Sequence, residues 1–424
     1  MFRGRLWRDR DFSLLWGGQT VSAVGDRVST LAVPTAAILL LHASPFEVAL
    51  LYICWYLPFP LLALPAGVFV DRVGRRRLLI ASDIGRFVAT GSIPLAAVLG
   101  HLTLAQLYVS GLLLGAFSTI FEVAYRSYLP VLVAADEVVA ANSRLEASEG
   151  TAATVGPGIG GILVQVLTAP YALLVDAASY VVSVATLAAI AAREPAPVPS
   201  GDAPHFGREL REGIAALLSH PLIRWTAACV ATSNCGLVMA NTVFLLFAYQ
   251  ALHLQPAVVG AVLLVFGLSG VAGAAVAPGI ARRIGTGPTL ALSIFSESLG
   301  WALLPLALVL PLAPVLGAGM LLRGFFGPVW NVTNVSLRQA VVPSRLQGRM
   351  HASHLALAFG TIPIGALLGG WLAGVLEPAL GVGRGLAVTL AIGGAIGMTS
   401  VVWILVSPVR SLTQVVAPEP APAL

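Results

Sequence analysis

The chain has 424 residues, 57% hydrophobic and 10% charged, with a mean hydropathy of +0.89. So little charge cannot cover a water-soluble surface, and lipid is the natural solvent for most of the chain. The net charge of +5 rests on arginines alone; the absence of lysine excludes a G-x-x-x-x-G-K-[ST] nucleotide loop and with it ATP-driven transport by this chain.

The apolar runs are long and unbroken, whereas a membrane β-barrel alternates over segments of about ten residues. A bilayer core needs about 20 apolar helical residues per crossing. Twelve spans follow, at 12–41, 46–70, 77–99, 104–132, 139–166, 170–192, 222–250, 256–281, 287–309, 312–340, 349–376 and 384–406. The first run is too long for a signal-peptide core and has no small-residue cleavage site close behind it, so it is read as a retained span. It carries Asp26 and Arg27 at membrane depth, where ionisable groups are rare and costly. Cys54, Cys229 and Cys235 fall in apolar runs without metal-ligand spacing and read as small buried hydrophobes.

Span two runs into GVFVDRVGRRRLL, Gly67 to Leu79. Gly67 and Gly74 suit close approach and a tight turn. Arg72, Arg75, Arg76 and Arg77 hold the loop on the inner side, but acids contribute little to that rule. Asp71 therefore points to ion pairs that form in one conformation and break in another. In span four Glu122 and Arg126 stand one turn apart in the order that favours an ion pair. Span five opens with Glu146 and Glu149 and continues as VGPGIGG from Val155, where Pro157 interrupts the helix hydrogen bonds and Gly156, Gly160 and Gly161 admit a close neighbour. Asp176 lies in span six and Glu297 in span nine.

The connection Ala192–Leu222 begins EPAPVPSGDAP, a flexible spacer, and continues as an amphipathic helix suited to the inner membrane surface. It divides the chain into a first bundle at 1–192, a linker at 193–221, a second bundle at 222–410 and a disordered tail at 411–424. Arginines precede span one, follow the even-numbered spans and leave the opposite connections bare except for Arg384, which places both termini in the cytoplasm. Gly74 recurs as Gly285 at an offset of 211, and PGIGG at 157–161 is echoed by PIGALLGG at 363–370. Two parallel halves around a central site form a recognised transporter plan.

The Gly67–Leu79 stretch resembles the loop signature of the major facilitator superfamily, G-x-L-x-D-r-x-G-r-r. Gly67, Asp71, Arg72, Gly74, Arg75 and Arg76 match, with Phe69 in place of the usual leucine. The resemblance implies an all-α integral membrane protein of twelve transmembrane helices in two pseudo-symmetric six-helix bundles. It assigns Asp71 and Arg75 a gating role that steadies the outward-facing state. The counterpart GIARRIGTG has Arg283 near the place of the acid, so the implied gate is asymmetric. VGPGIGG is similar to the core of the family's antiporter motif through Gly156, Pro157, Gly160 and Gly161, which leans the direction toward export. Drug–proton antiporters commonly carry an arginine inside span four, where this chain has leucine and glycine; span ten carries Arg323.

The same resemblance lines the cavity with spans one, four, seven and ten and leaves three, six, nine and twelve outside. It ranks Asp26 first and Glu122 second as proton carriers, above Asp176 and Glu297. The implied cavity residues are Arg27, Phe121, Tyr125, Asn241, Phe244, Arg323, Phe326, Trp330, Asn331 and Asn334. FSLLWGGQTVSAVGDRV, YRSYLPVLVAADEVVAANS and RLQGRMHA resemble the enterobactin-exporter and macrolide-efflux branch. The expectation is a non-enzymatic, monomeric exporter in the bacterial inner membrane. It moves an amphipathic drug, macrolide or siderophore against a proton gradient by alternating access, with no cofactor, metal, nucleotide or nucleic acid. An importer or facilitator of a metabolite, or a non-transporting sensor, remains as an alternative.

Overall fold

Among the described residues of the computed structural model, every regular element is a helix. The structure describes residues 9–192, 194, 219–342 and 344–413, without the side chains at 63, 64, 67–69, 71, 72, 344–356, 358 and 359. The first helices are α1 (Arg10–Leu39), α2 (Pro45–Tyr56), α3 (Pro58–Val73), α4 (Arg75–Val98), α5 (Leu104–Leu132), α6 (Val138–Leu167) and α7 (Ala169–Ala189). After the linker come α8 (Ile223–Leu246), α9 (Pro256–Ile284), α10 (Thr286–Leu303), α11 (Leu312–Val341), α12 (Ser344–Leu380), α13 (Val382–Thr399) and α14 (Val401–Leu405). A π-helical turn, Phe247–Ala251, extends α8, and a 3-10 turn, Leu304–Leu308, extends α10.

Local chemistry sets several of these ends. The Asp9 carboxylate accepts from the backbone N–H of Asp11 and Phe12 at 3.0 and 3.1 Å and starts α1. Ser44 and Glu47 form a reciprocal capping box on α2. The expected single span 46–70 is instead two helices meeting at Leu57, because Pro58 and Pro60 have no N–H to continue the ladder. Gly74 and Gly285, both at φ +93°, make the turns between α3 and α4 and between α9 and α10.

Eleven of the described spans are long and apolar enough to cross a bilayer. The first helix, 30 residues long, is not among them, since Asp11, Gln19, Asp26 and Arg27 dilute its apolar content. These polar residues are the ones that build the candidate site.

The chain divides into two units. The first holds the helices α1 to α7 together with His253–Leu264; the second holds Val265 onward and the residues from Pro204 to Leu252. In the first, α1 packs on α6 and α7, and α4 on α5 and α7. The opening turns of α9 join it through glycine: Gly161 lies against Gly260, leaving no space for a Cβ. Gln165 donates to the Gln255 side-chain oxygen and accepts from Ala257 N, each at 3.0 Å. In the second, α8 packs on α12 and α13, and α10 on α11 and α13. The 3-10 turn Pro408–Ser411 packs at the end of the described chain, where the Leu412 carbonyl accepts from Gly287 N at 3.0 Å. Residues 414–424, Arg193 and 195–218, including the expected amphipathic helix, lie outside the described residues.

Candidate transport site

Three helices of the first unit carry polar residues on facing stripes: Gln19, Ser22, Asp26 and Ser29 on α1, Asp83, Arg86 and Thr90 on α4, and Asp176, Ser179, Tyr180 and Ser183 on α7. Spacings of three and four residues place each set on one face of its helix. The stripes meet inside the bundle. Tyr180 donates to Asp26 Oδ1 at 2.5 Å, Ser183 donates to Asp83 Oδ2 at 2.6 Å, and Gln19 donates to Ser183 at 3.1 Å. Ser29 donates to Asp176.

Arg86 is the hub. Its Nη2 pairs with Asp83 Oδ1, its Nη1 stands 3.8 Å from Asp26 Oδ2, and its guanidinium lies 4.2 Å from the Phe121 ring centre and 4.7 Å from that of Tyr180. Arg86 and Asp83 are buried, whereas the Asp26 side chain is 41% exposed. Burying charge is tolerable only with partners, and here two carboxylates share one close cation.

Asp26 and Arg86 open on a cavity of about 330 Å³ between α1, α4, α5 and α6. Phe121 and Tyr125, stacked at 5.9 Å, form part of its wall, with Glu122, Arg126, Glu146 and Glu149. Glu122 and Arg126 pair at 2.6 Å, as their spacing predicts. Arg27, expected in the cavity, pairs instead with Glu149. Its stem lies flat on Gly156, where any side chain would collide with it. Gly160 lies against Val28, its Cβ position 3.3 Å from Val28 Cα, and Pro157 and Gly161 face Gly260. The glycine motif thus seats α6 on the charged turn of α1 and on α9.

The placement of span three outside the cavity is corrected, whereas span six contributes none of the lining residues and acts on the site from behind. Arg86 from span three lines the wall, and Tyr180 from span six holds Asp26. Asp176, ranked low on the same ground, is fully buried in this network. The sequence reading missed Asp83, Arg86 and Tyr180. The available signal was an aspartate and an arginine three residues apart in the middle of an apolar span, the rarest kind of residue to find there.

At the loop signature, the side chains of Asp71 and Arg72 and the surroundings of Gly67 lie outside the described residues. Glu194 accepts from Arg75 N at 2.9 Å and Arg76 N at 3.3 Å and stands 3.9 Å from the Arg75 guanidinium. Arg76 donates to the Leu187 and Ala188 carbonyls at 2.8 and 2.5 Å. A carboxylate at the start of α4 and a cation at the end of α7 both complement helix dipoles.

The cavity candidates of the second unit separate. Arg323 is buried 3.3 Å from the Trp301 ring centre and 5.0 Å from that of Phe266. Phe244 is buried edge-on to Trp301 at 5.9 Å. Trp330 sits in an apolar cluster with Cys229, Leu290 and Ile294 rather than on a polar wall. Phe326 packs on Phe325, Asn334 is buried, Asn241 is half-buried and Asn331 is exposed. Among the described residues, no group of three histidine, cysteine, aspartate or glutamate side chains is placed to hold a metal ion.

A helical membrane bundle with a charged, aromatic-walled cavity defines a transporter of small molecules. The chain belongs to the Major Facilitator Superfamily, whose pattern it matches over residues 15–353. It is 26% identical over 366 residues to the multidrug efflux pump Tap of Mycolicibacterium fortuitum, covering 85% of this chain and 88% of that protein. It is 24% identical over 323 residues to the enterobactin exporter EntS of Citrobacter koseri, covering 74% and 73%. In fold it is similar to a bacterial homologue of the iron transporter ferroportin in its inward-facing state, with a TM-score of 0.70 at 16% identity over 92% of this chain and 98% of that one. The nucleoside transporter NupG gives a TM-score of 0.71 at 12% identity over 93% and 98%. The protein is thus a multi-pass membrane transporter, not an enzyme.

Proposed function

We propose that the chain is a secondary exporter that carries an amphipathic small molecule out across the bacterial inner membrane in exchange for protons taken up at Asp26. The observation that carries this reading is the half-exposed Asp26 carboxylate on the wall of the 330 Å³ cavity, beside the Phe121 and Tyr125 rings. A carboxylate reached by water on one side and by a buried cation on the other gains or loses a proton at modest cost, and aromatic walls suit a flat or greasy ligand. Similarity to a multidrug pump and an enterobactin exporter supports the outward direction.

The reading includes twelve spans in two pseudo-symmetric halves, bundles at 1–192 and 222–410 that alternate access, and a monomer with both termini in the cytoplasm. The matching backbone turns support the repeat: Gly74 and Gly285 share φ +93°, and His42 and His253 share φ 52° and 51° at the same offset of 211. The proton gradient is the energy source and no cofactor is required. Glu122 ranks second as proton carrier, and Asp71, Arg72 and Arg75 with Gly67, Gly74 and Arg76 form the gate.

Everted membrane vesicles test the proposal. With an imposed proton gradient, acid inside, they are expected to accumulate ethidium or erythromycin, and Asp26→Asn is expected to reduce this at least tenfold. Undiminished accumulation by Asp26→Asn removes Asp26 as the coupling group. Accumulation only under the reverse gradient makes the chain an importer.

A further inference from the structure

Asp83 is a buried carboxylate that exchange at Asp26 leaves unused. Its Oδ1 pairs with Arg86 Nη2, and its Oδ2 accepts from Ser183 at 2.6 Å with no solvent access. The same guanidinium turns Nη1 toward Asp26 Oδ2 at 3.8 Å, beyond hydrogen-bond length. Arg86 Nε is buried with no hydrogen-bond partner among the described residues. The Phe121 and Tyr180 rings, at 4.2 and 4.7 Å, leave the guanidinium a slot between the two acids. A planar cation carries five N–H donors, and this one has a tight contact to the dry acid, a long one to the wet acid and an idle donor.

We propose that Asp83 is a positioning residue that holds Arg86 off Asp26, and that Arg86 shifts along its slot to Asp26 when Asp26 loses its proton. The inference rests on Asp26 as the exchanging group. The only bond broken is the Asp26 O–H, whose proton passes to cavity water. With the proton on, Arg86 and Asp83 form a neutral pair; with it off, one guanidinium serves two carboxylates. The other titratable or charged groups facing this cluster are Tyr180 and Asp176 on α7, Glu149 with its α1 partner Arg27 and Glu146 on α6, and Glu122, Tyr125 and Arg126 across the cavity on α5. Because the cation belongs to α4, its acids to α1 and α4, and its rings to α5 and α7, a proton on one helix redistributes contacts among four.

Two measurements on the purified full-length protein decide it. In thermal unfolding in detergent, Asp26→Asn and Asp83→Asn are each expected to lose little, since either acid alone retains Arg86. The double variant is expected to lose at least twice the sum of the two, and additive losses overturn a shared cation. In infrared titration, the carboxyl band that disappears in Asp26→Asn is expected to reach its midpoint at least one pH unit lower in Asp83→Asn and higher in Arg86→Gln. An unchanged midpoint overturns the positioning role. If Asp83→Asn does not fold, Ser183→Ala, which removes the hydrogen bond pinning Asp83, is expected to shift the midpoint the same way by less, and no shift overturns the role. If Asp26→Asn removes no band, the failure lies in the assignment of Asp26 as proton carrier.

Discussion

The two units each bury an arginine between aromatic rings, yet they surround it differently. Arg86 lies between Phe121 and Tyr180 with Asp83 in contact and Asp26 within 3.8 Å. Arg323 lies between Trp301 and Phe266, its Nη1 3.1 Å from the Met320 sulfur, and Glu297 is the carboxylate that acts on it electrostatically. Glu297 stands 211 residues after Arg86, the offset at which Gly74 recurs as Gly285, so one sign of charge replaces the other at that position. The rings provide a cation slot in both units, through weak cation–π attraction and the exclusion of water. The Arg86 slot has a second acid, Asp26, that meets the cavity. Ring geometry makes a home for the cation in both units; the carboxylates around it set the two apart.

The largest expected effect tests that contrast directly. Arg86→Leu strands a fully buried Asp83, and removing one partner of a buried pair costs about 3–5 kcal/mol. Arg323→Leu puts an apolar chain among Trp301, Phe266 and Met320 beside a Glu297 that is only part-buried, so its loss is expected to be about 2 kcal/mol or less. Unfolding of both variants in one detergent checks the ranking. Equal losses would show that the two arginines do the same structural job.

How much of this was legible depends on what kind of contact was being read. The helical membrane architecture was open to inspection, because the length of an apolar run is a local signal with a strong physical cause. The Glu122–Arg126 pair was also legible, since i,i+4 spacing fixes it within one helix. The break at Leu57 was marked by Pro58 and Pro60 and passed over in favour of one apolar run. The hub at Arg86 was legible only as the Asp83–Arg86 spacing within α4, because its other partners come from α1, α5 and α7 and no local pattern states which of them it meets. Excluding span three from the cavity hid Arg86, which lines its wall. Trp330 failed for the opposite reason. An aromatic on a cavity-lining helix has two sides of bundle to face, and this one faces the apolar cluster.

Close packing offers a second, smaller test in the first unit. A side chain at Gly161 would meet the Pro256 carbonyl at 2.5 Å and Gly260 Cα at 2.8 Å, backbone that cannot swing aside. Gly161→Val is expected to cost about 1–3 kcal/mol by overpacking. Gly158, two turns of mind away in role though only three residues earlier, has nothing nearer than Leu264 at 3.7 Å. Gly158→Ala is therefore expected to be neutral or to gain up to about 1 kcal/mol from helix propensity. Thermal unfolding of the pair distinguishes a packing glycine from a merely permissive one. If Gly158→Ala costs as much as Gly161→Val, the close approach of α6 and α9 is not what Gly161 provides.

The smallest effect is expected at the exposed ion pair of the first unit. Glu122 and Arg126 meet at 2.6 Å, but their side chains are 43% and 73% exposed, where water and salt screen the charges. An exposed helical pair of this spacing contributes about 0.3–0.5 kcal/mol, so Glu122→Gln is expected to lower stability by no more than that. The same variant in the vesicle assay carries the sharper information. Because stability barely moves, any change in exchange reports on the cavity and not on folding. Proton-driven accumulation that persists in Glu122→Gln, even with weaker substrate uptake, keeps the proton at Asp26. Its complete loss would transfer the proton to Glu122, and the buried hub at Arg86 would then be a structural fastening rather than part of the exchange.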